Sequence, residues 1–132
     1  LLMGHLAHLG TSPLVWDTIV FLVLGTIAER AGRVRFVLTL LGSALAVSSA
    51  VLLLQPELTP YRGLSGIDSA LFVLVCTRIW MDARHTGDRA WLLGSAAALL
   101  AFLGKAAYEY ATGAALFVDA GGAFVPVPLA HL

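Results

Sequence analysis

The chain has 132 residues, of which 59% are hydrophobic and 12% charged, and its mean hydropathy is +0.89. This apolar fraction is far above that of an ordinary soluble domain and predicts a membrane protein. Eight basic residues balance eight acidic ones, so the net charge indicates neither a nucleic-acid partner nor an acidic one. The single cysteine, Cys76, excludes an internal disulfide and a cysteine-based metal site.

Four apolar segments follow one another along the chain, and a fifth begins near Val125. A helix needs roughly 20 apolar residues to cross a bilayer. The four segments cover about residues 13–27, 36–54, 65–80 and 90–110. No repeat or low-complexity linker divides them, so we predict one all-α membrane domain over residues 1–132, a polytopic helix bundle. We also expect the chain to be a fragment of a longer protein.

The basic residues alternate between the connections, as expected of a chain that crosses a membrane several times. Connections rich in Lys and Arg stay on the cytoplasmic side. Six of the eight basic residues lie around the first and third connections. This distribution predicts that the stretch before the third segment, the histidines near the start and the segment AGGAFVPVP all face outward. The six are Arg30, Arg33, Arg35, Arg78, Arg84 and Arg89, and the other two are Arg62 and Lys105.

The stretch YRGLSGIDSALF, residues 61–72, places a hydroxyl group at the start of the third segment. From Ser65 to Trp80 is about 15 residues, or roughly 23 Å of helix, against a hydrocarbon core of about 30 Å. If Trp80 marks the cytoplasmic interface, Ser65 lies within the depth of the membrane. Non-helical backbone is tolerated there only next to protein or water. We therefore predict a wet cavity, open to the outside, with Ser65 at its floor.

Ser65 has two interpretations. With Asp68 three residues later, it fits a helix N-cap. There a side-chain oxygen accepts hydrogen bonds from free backbone N–H groups, and an acid in the first turn complements the helix dipole. Alternatively it is a nucleophile, for which His131 in the last segment, on the same side as Ser65, is the candidate base. An ionisable residue inside a span is by default a functional candidate. The helix N-terminus then offers N–H groups to an oxyanion.

These motifs resemble those of the rhomboid family of intramembrane serine proteases. GLSG opens a short span, AHL lies in the last one, and HLGTSPLVWD leads into a span that ends in ERAG. The resemblance implies a six-span fold, of which about four complete spans and the start of the last are present. It also implies a dyad of Ser65 as nucleophile and His131 as base. The backbone N–H groups of Leu64 and Ser65 are then the expected oxyanion donors.

The sequence departs from the rhomboid pattern near the oxyanion. Family members have a histidine, a second histidine five residues on, an asparagine four further and a glutamate twelve further. These positions hold His8, Pro13, Asp17 and Glu29, so only the first and last match. Pro13 cannot donate a hydrogen bond to the oxyanion, and an ionised Asp17 would repel it. Either an apolar site keeps Asp17 neutral, or the oxyanion depends on backbone N–H groups and His8, with Gly63 as a further supporting residue.

A narrower resemblance is to the rhombosortases, small rhomboids of Gram-negative inner membranes. The stretches YRGLSG, GKAAYEYATGAALF and VPVPLAHL carry it. It implies a multi-pass protein of the bacterial inner membrane with its site facing the periplasm. The implied substrates are membrane-anchored proteins with a C-terminal Gly-Gly sorting tail, made of a small-residue motif, an apolar helix and a basic end. Lys105 and Glu109, four residues apart, either pair with each other or contribute to substrate binding.

Two other functions remain open. The residues at positions 13 and 17 also suit a non-catalytic rhomboid-like protein that binds transmembrane partners without cutting them. Asp17, Asp68 and His131 could instead form a proton path in a small transport subunit. No cofactor is expected, since nothing indicates a nucleotide, flavin or haem site. His5 and His8 lack a third metal ligand of suitable spacing. The expected partners are a membrane-anchored substrate and the lipid bilayer, not nucleic acid.

Overall fold

The computed structural model describes residues 11–54 and 64–112, and these ranges contain four α-helices and no strand. The helices are α1 (Thr11–Ala31), α2 (Arg33–Leu54), α3 (Ser65–Thr86) and α4 (Arg89–Thr112). Each of the four predicted segments is thus confirmed as a helix, and so is the all-α class. The segment expected near Val125 lies outside the described residues.

Two of the four helices are long and apolar enough to cross a membrane by themselves. They are α2, over Arg33–Ala50, and α4, over Arg89–Thr112. In a bilayer a helix satisfies all its backbone hydrogen bonds internally, which is why long apolar runs adopt this form. α1 and α3 have 21 and 22 residues, and their role as spans stays a prediction.

The described residues fall into two compact units, one with residues 11–54 and 64–72 and one with residues 73–112. In the first unit α1 packs against α2. The chain reverses at Gly32, whose carbonyl oxygen accepts a 3.0 Å hydrogen bond from the N–H of Phe36. The Phe36 ring then lies against Gly25, 3.6 Å from the position that a Cβ would take there. Ala28, one turn further along α1, is buried.

The third helix is longer than its apolar run. It was predicted to end near Trp80 and instead continues to Thr86, through a segment in which Arg78 Nε and Asp82 Oδ2 pair at 3.0 Å. It ends because Gly87 adopts a left-handed backbone, with φ of +74°. The N–H of Asp88 then donates to the carbonyl of Ala83 at 3.0 Å, which is the hydrogen bond of a Schellman cap.

The same turn starts α4. Asp88 Oδ1 accepts hydrogen bonds from the N–H groups of Ala90, at 3.0 Å, and Trp91, at 3.2 Å. Asp88 is therefore the N-cap of α4, and its side chain satisfies two N–H groups that have no acceptor inside the helix. Two residues, 87 and 88, complete the connection between α3 and α4.

Candidate active site

Ser65 is the first residue of α3. The N–H of Asp68 donates to the carbonyl of Leu64 at 2.9 Å, so Leu64 occupies the N-cap position and Ser65 the first helical one. The Ser65 side chain is half-buried, and within the described part of the chain its hydroxyl makes no hydrogen bond. A capping serine would lie one residue earlier, and its hydroxyl oxygen would accept a hydrogen bond from a backbone N–H group. The N-cap interpretation of Ser65 is therefore wrong.

The start of α3 is a buried helix N-terminus. Leu64, Gly66 and Ile67 are all buried. Because Asp68 donates the first hydrogen bond of the helix, the four preceding N–H groups have no acceptor inside it. The predicted oxyanion donors, the N–H groups of Leu64 and Ser65, belong to these four. Such an N-terminus favours an anion through both its N–H groups and the helix dipole.

An acid lies on the buried face of the same helix. Asp68 is only 7% exposed, and its Oδ1 has no hydrogen-bond partner among the described residues. Asp17 is half-buried on α1. Asp17 and Asp68, two of the three residues of the suggested proton path, both belong to the first compact unit. The third, His131, lies outside the described residues.

A second acid is buried near the end of α4. Glu109 is 5% exposed, and its Oε2 accepts a 2.8 Å hydrogen bond from Nζ of Lys105. The Lys105 side chain is 30% exposed. The pair predicted from the spacing is therefore present. It differs from an ordinary surface pair because its carboxylate is buried.

The domain model of the rhomboid family matches residues 1–125. This is nearly the whole chain. The protein belongs to the rhomboid family. Rhomboids are intramembrane serine proteases that act on membrane proteins within the bilayer, so the match agrees with the two long apolar helices. No curated protein and no solved structure matches the chain.

Several predicted site residues of this rhomboid lie outside the described residues. They include the candidate base His131 as well as His5, His8 and Gly63, and nothing is described of the Pro13 side chain. Of the described candidates, Leu64, Ser65, Asp17 and Asp68 all belong to the first compact unit, whereas Lys105 and Glu109 belong to the second. In residues 11–54 and 64–112, no three His, Cys, Asp or Glu side chains are grouped as a metal site would need.

Sequence reasoning identified Asp68 and Glu109 but not their burial. Both acids lie on helices whose apolar and polar residues are not separated onto opposite faces. A helix of this kind has no apolar stripe to mark the face that meets a neighbour. The one available signal was the presence of an acid in an apolar segment, which is rare unless the acid faces protein or water.

Proposed function

We propose that this rhomboid is an intramembrane serine peptidase in which Ser65 is the nucleophile and His131 the general base. The observation that carries the proposal is the position of the Ser65 hydroxyl. It lies at the first residue of α3, it is not used in capping, and it adjoins a buried helix N-terminus. A hydroxyl in this position is available for chemistry, and the neighbouring N–H groups suit a developing negative charge.

The proposed reaction has two steps. In the first, Ser65 Oγ attacks the carbonyl carbon of the scissile peptide bond while His131 takes its proton, and the carbonyl oxygen becomes an oxyanion near the N–H groups of Leu64 and Ser65. Collapse of this intermediate breaks the C–N bond, and His131 gives the proton to the leaving amine. In the second step, water attacks the acyl-enzyme with His131 again as base, which releases the acid and regenerates Ser65.

The substrate must present an unwound segment to Ser65, because a helical backbone keeps its carbonyl groups inside hydrogen bonds. We propose membrane-anchored proteins with a C-terminal Gly-Gly sorting tail as substrates, following the rhombosortase resemblance. Glycine residues lower helix stability, which favours local unwinding at the cut. The distribution of basic residues supports a site on the non-cytoplasmic side, which is the periplasmic side if the membrane is the bacterial inner membrane that the rhombosortase resemblance implies.

Labelling with a serine-directed fluorophosphonate tests the nucleophile directly. The full-length protein should label in detergent or nanodiscs, Ser65→Ala should not label, and His131→Ala should label at least about a hundredfold more slowly. Ser43→Ala is a matched control, since the Ser43 hydroxyl donates to the carbonyl of Leu40 in its own helix, at 3.2 Å. Undiminished labelling of Ser65→Ala would remove Ser65 from the mechanism.

A second candidate function is that of a non-catalytic rhomboid-like protein that binds transmembrane partners. The buried Asp68 favours it, because an ionised acid in the first turn of α3 would disfavour an oxyanion there. In this case the wild-type protein would not label. A transmembrane partner would co-purify equally with wild-type protein and with Ser65→Ala.

A further inference from the structure

The turn between α3 and α4 lies at the end of an apolar helix. α4 is apolar enough to cross a membrane from its first residue, Arg89, to Thr112. The seven residues from 82 to 88, just before it, include two acids, an arginine and a histidine. So many ionisable groups do not enter the hydrocarbon core, and the turn therefore marks the level at which the membrane meets water. The distribution of basic residues predicts that this is the cytoplasmic side.

Two arginines of this turn carry charges that no ion pair balances. Arg84 and Arg89 are exposed, and among the described residues neither forms a salt bridge. The two acids nearby already have partners. Asp82 Oδ2 pairs with Arg78 at 3.0 Å, and Asp88 Oδ1 accepts hydrogen bonds from two N–H groups of α4. The helix dipoles add no net charge, because the negative end of α3 meets the positive end of α4 at this turn.

The backbone of the turn and one ring contact place these arginines. The N–H of Asp88 donates to the carbonyl of Ala83 at 3.0 Å, and Arg84 and Arg89 are the residues that follow these two in the chain. Both arginines therefore start from the same end of the helix pair. The Cζ atom of Arg84 lies 4.8 Å from the centroid of the Trp80 ring. This cation–π contact engages the face of the guanidinium group and leaves the N–H groups at its edge for another acceptor.

Aromatic side chains accompany the arginines. Trp80 lies one helical turn before Arg84, and Trp91, which is 63% exposed, lies two residues after Arg89. Tryptophan rings favour the headgroup level of a bilayer, because they combine an apolar body with one polar N–H group. Guanidinium groups bind phosphate through paired N–H donors. We call these four residues, Trp80, Arg84, Arg89 and Trp91, the turn surface.

We propose that the turn surface binds the headgroup of an anionic phospholipid from the cytoplasmic leaflet. The two guanidinium groups meet the phosphate, and the two rings lie at the level of the glycerol and the upper acyl chains. A lipid suits this surface better than a soluble anion does, because the charges are flanked by aromatic rings at the end of a membrane helix. The binding does not depend on whether the protein is a peptidase.

Native mass spectrometry of the full-length protein in a non-ionic detergent, titrated with phosphatidylglycerol, tests the surface. A basic residue near an anionic membrane surface adds about fivefold in affinity, so the double variant Arg84→Gln with Arg89→Gln should bind this lipid about 25-fold more weakly. The double variant with lysine at both positions keeps the charges and should keep most of the affinity. Arg33→Gln is the matched control. Arg33 lies on the same predicted side but pairs with Glu29 at 3.5 Å, and its loss should leave the affinity unchanged.

Three results would overturn the proposal. One is equal affinity of the wild type and the glutamine double variant for phosphatidylglycerol. Another is equal affinity of the wild type for phosphatidylglycerol and phosphatidylcholine, which would mean that the headgroup charge is not recognised. The third is displacement of the lipid by millimolar inorganic phosphate, which would assign the arginines to a soluble anion. If the double variant unfolds at a lower temperature than the wild type, Arg89→Gln alone leaves the contact between Arg84 and Trp80 intact and should still lose about fivefold in affinity.

Discussion

Removal of one partner from the ion pair between Lys105 and Glu109 should cost far more stability than the spacing of the pair suggests. An exposed pair four residues apart on a helix is worth about 0.2–0.5 kcal/mol. Here the two charged atoms are 2.8 Å apart and the Glu109 side chain is 7% exposed. At an effective dielectric constant of about 20, the attraction at this distance is about 6 kcal/mol, part of which offsets the loss of hydration.

The variant Lys105→Met removes the cation that balances the buried carboxylate of Glu109. Such changes cost about 3–5 kcal/mol, and the 30% exposure of Lys105 places the expected loss near the lower end, about 3 kcal/mol. This corresponds to a decrease in Tm of roughly 10 °C. The double variant Lys105→Met with Glu109→Leu should recover most of the loss, since it leaves no buried charge behind.

Thermal unfolding can be followed with a thiol-reactive dye, because Cys76 is the only cysteine and is buried. Arg78→Met is the matched control. Arg78 pairs with Asp82 at the same spacing and a similar distance, 3.0 Å, but both side chains are about half exposed. We expect this control to lose only a few tenths of a kcal/mol. A Lys105→Met variant that unfolds at the same temperature as Arg78→Met would refute the reasoning from burial.

The double variant also separates the two roles of the pair. If Lys105 and Glu109 act only on stability, the double variant should cleave a tailed substrate and label with fluorophosphonate like the wild type. If they bind substrate, cleavage should fall while labelling by the small probe continues.

Three further predictions concern the turns and helix contacts, and the same unfolding assay checks all of them. Asp88→Ala removes the two hydrogen bonds at the start of α4 and should cost about 1 kcal/mol, whereas Asp88→Asn should cost much less; equal losses would show that the cap is not the cause. Gly87→Ala should cost about 1–2 kcal/mol because its φ is +74°, although nothing crowds a Cβ there; an unchanged Tm would contradict the left-handed turn. Gly25→Ala should be tolerated, because its Cβ would meet the Phe36 ring at an ordinary contact distance of 3.6 Å. Gly25→Leu should displace the ring and lower Tm. An equal Tm for both variants would argue against this packing.

The extent of α3 illustrates where sequence reasoning stops. An apolar run ends at its first charged residues, so the predicted helix ended near Trp80. The actual helix continues because Arg78 and Asp82 lie on one face and pair, and because backbone hydrogen bonding does not depend on side-chain polarity. What ends it is the left-handed backbone at Gly87. Apolar runs therefore locate membrane helices better than they locate helix ends.

The start of α3 shows the same limit for the candidate site. A serine followed three residues later by an acid fits a capping pattern as well as it fits a nucleophile, and spacing alone cannot separate the two. The structure separates them through one hydrogen bond, from the Asp68 N–H to the Leu64 carbonyl, which moves Ser65 one position into the helix. Within residues 11–54 and 64–112 no side chain caps this end of the helix, and the hydroxyl is left for another use.

The sequence by itself determined that the chain forms apolar helices, how many occur in the described ranges and where each begins within a few residues, because long apolar runs can satisfy their backbone only as helices in a membrane. It also carried the motifs of the rhomboid family, which the domain match confirmed. Only the tertiary structure decided which polar groups are enclosed. Asp68 is enclosed with no hydrogen-bond donor to its Oδ1 among the described residues, and Glu109 is enclosed beside Lys105. The physical reason is that burial depends on which side of a helix meets its neighbour, and a helix whose apolar and polar residues are not separated onto opposite faces does not record that choice in its sequence.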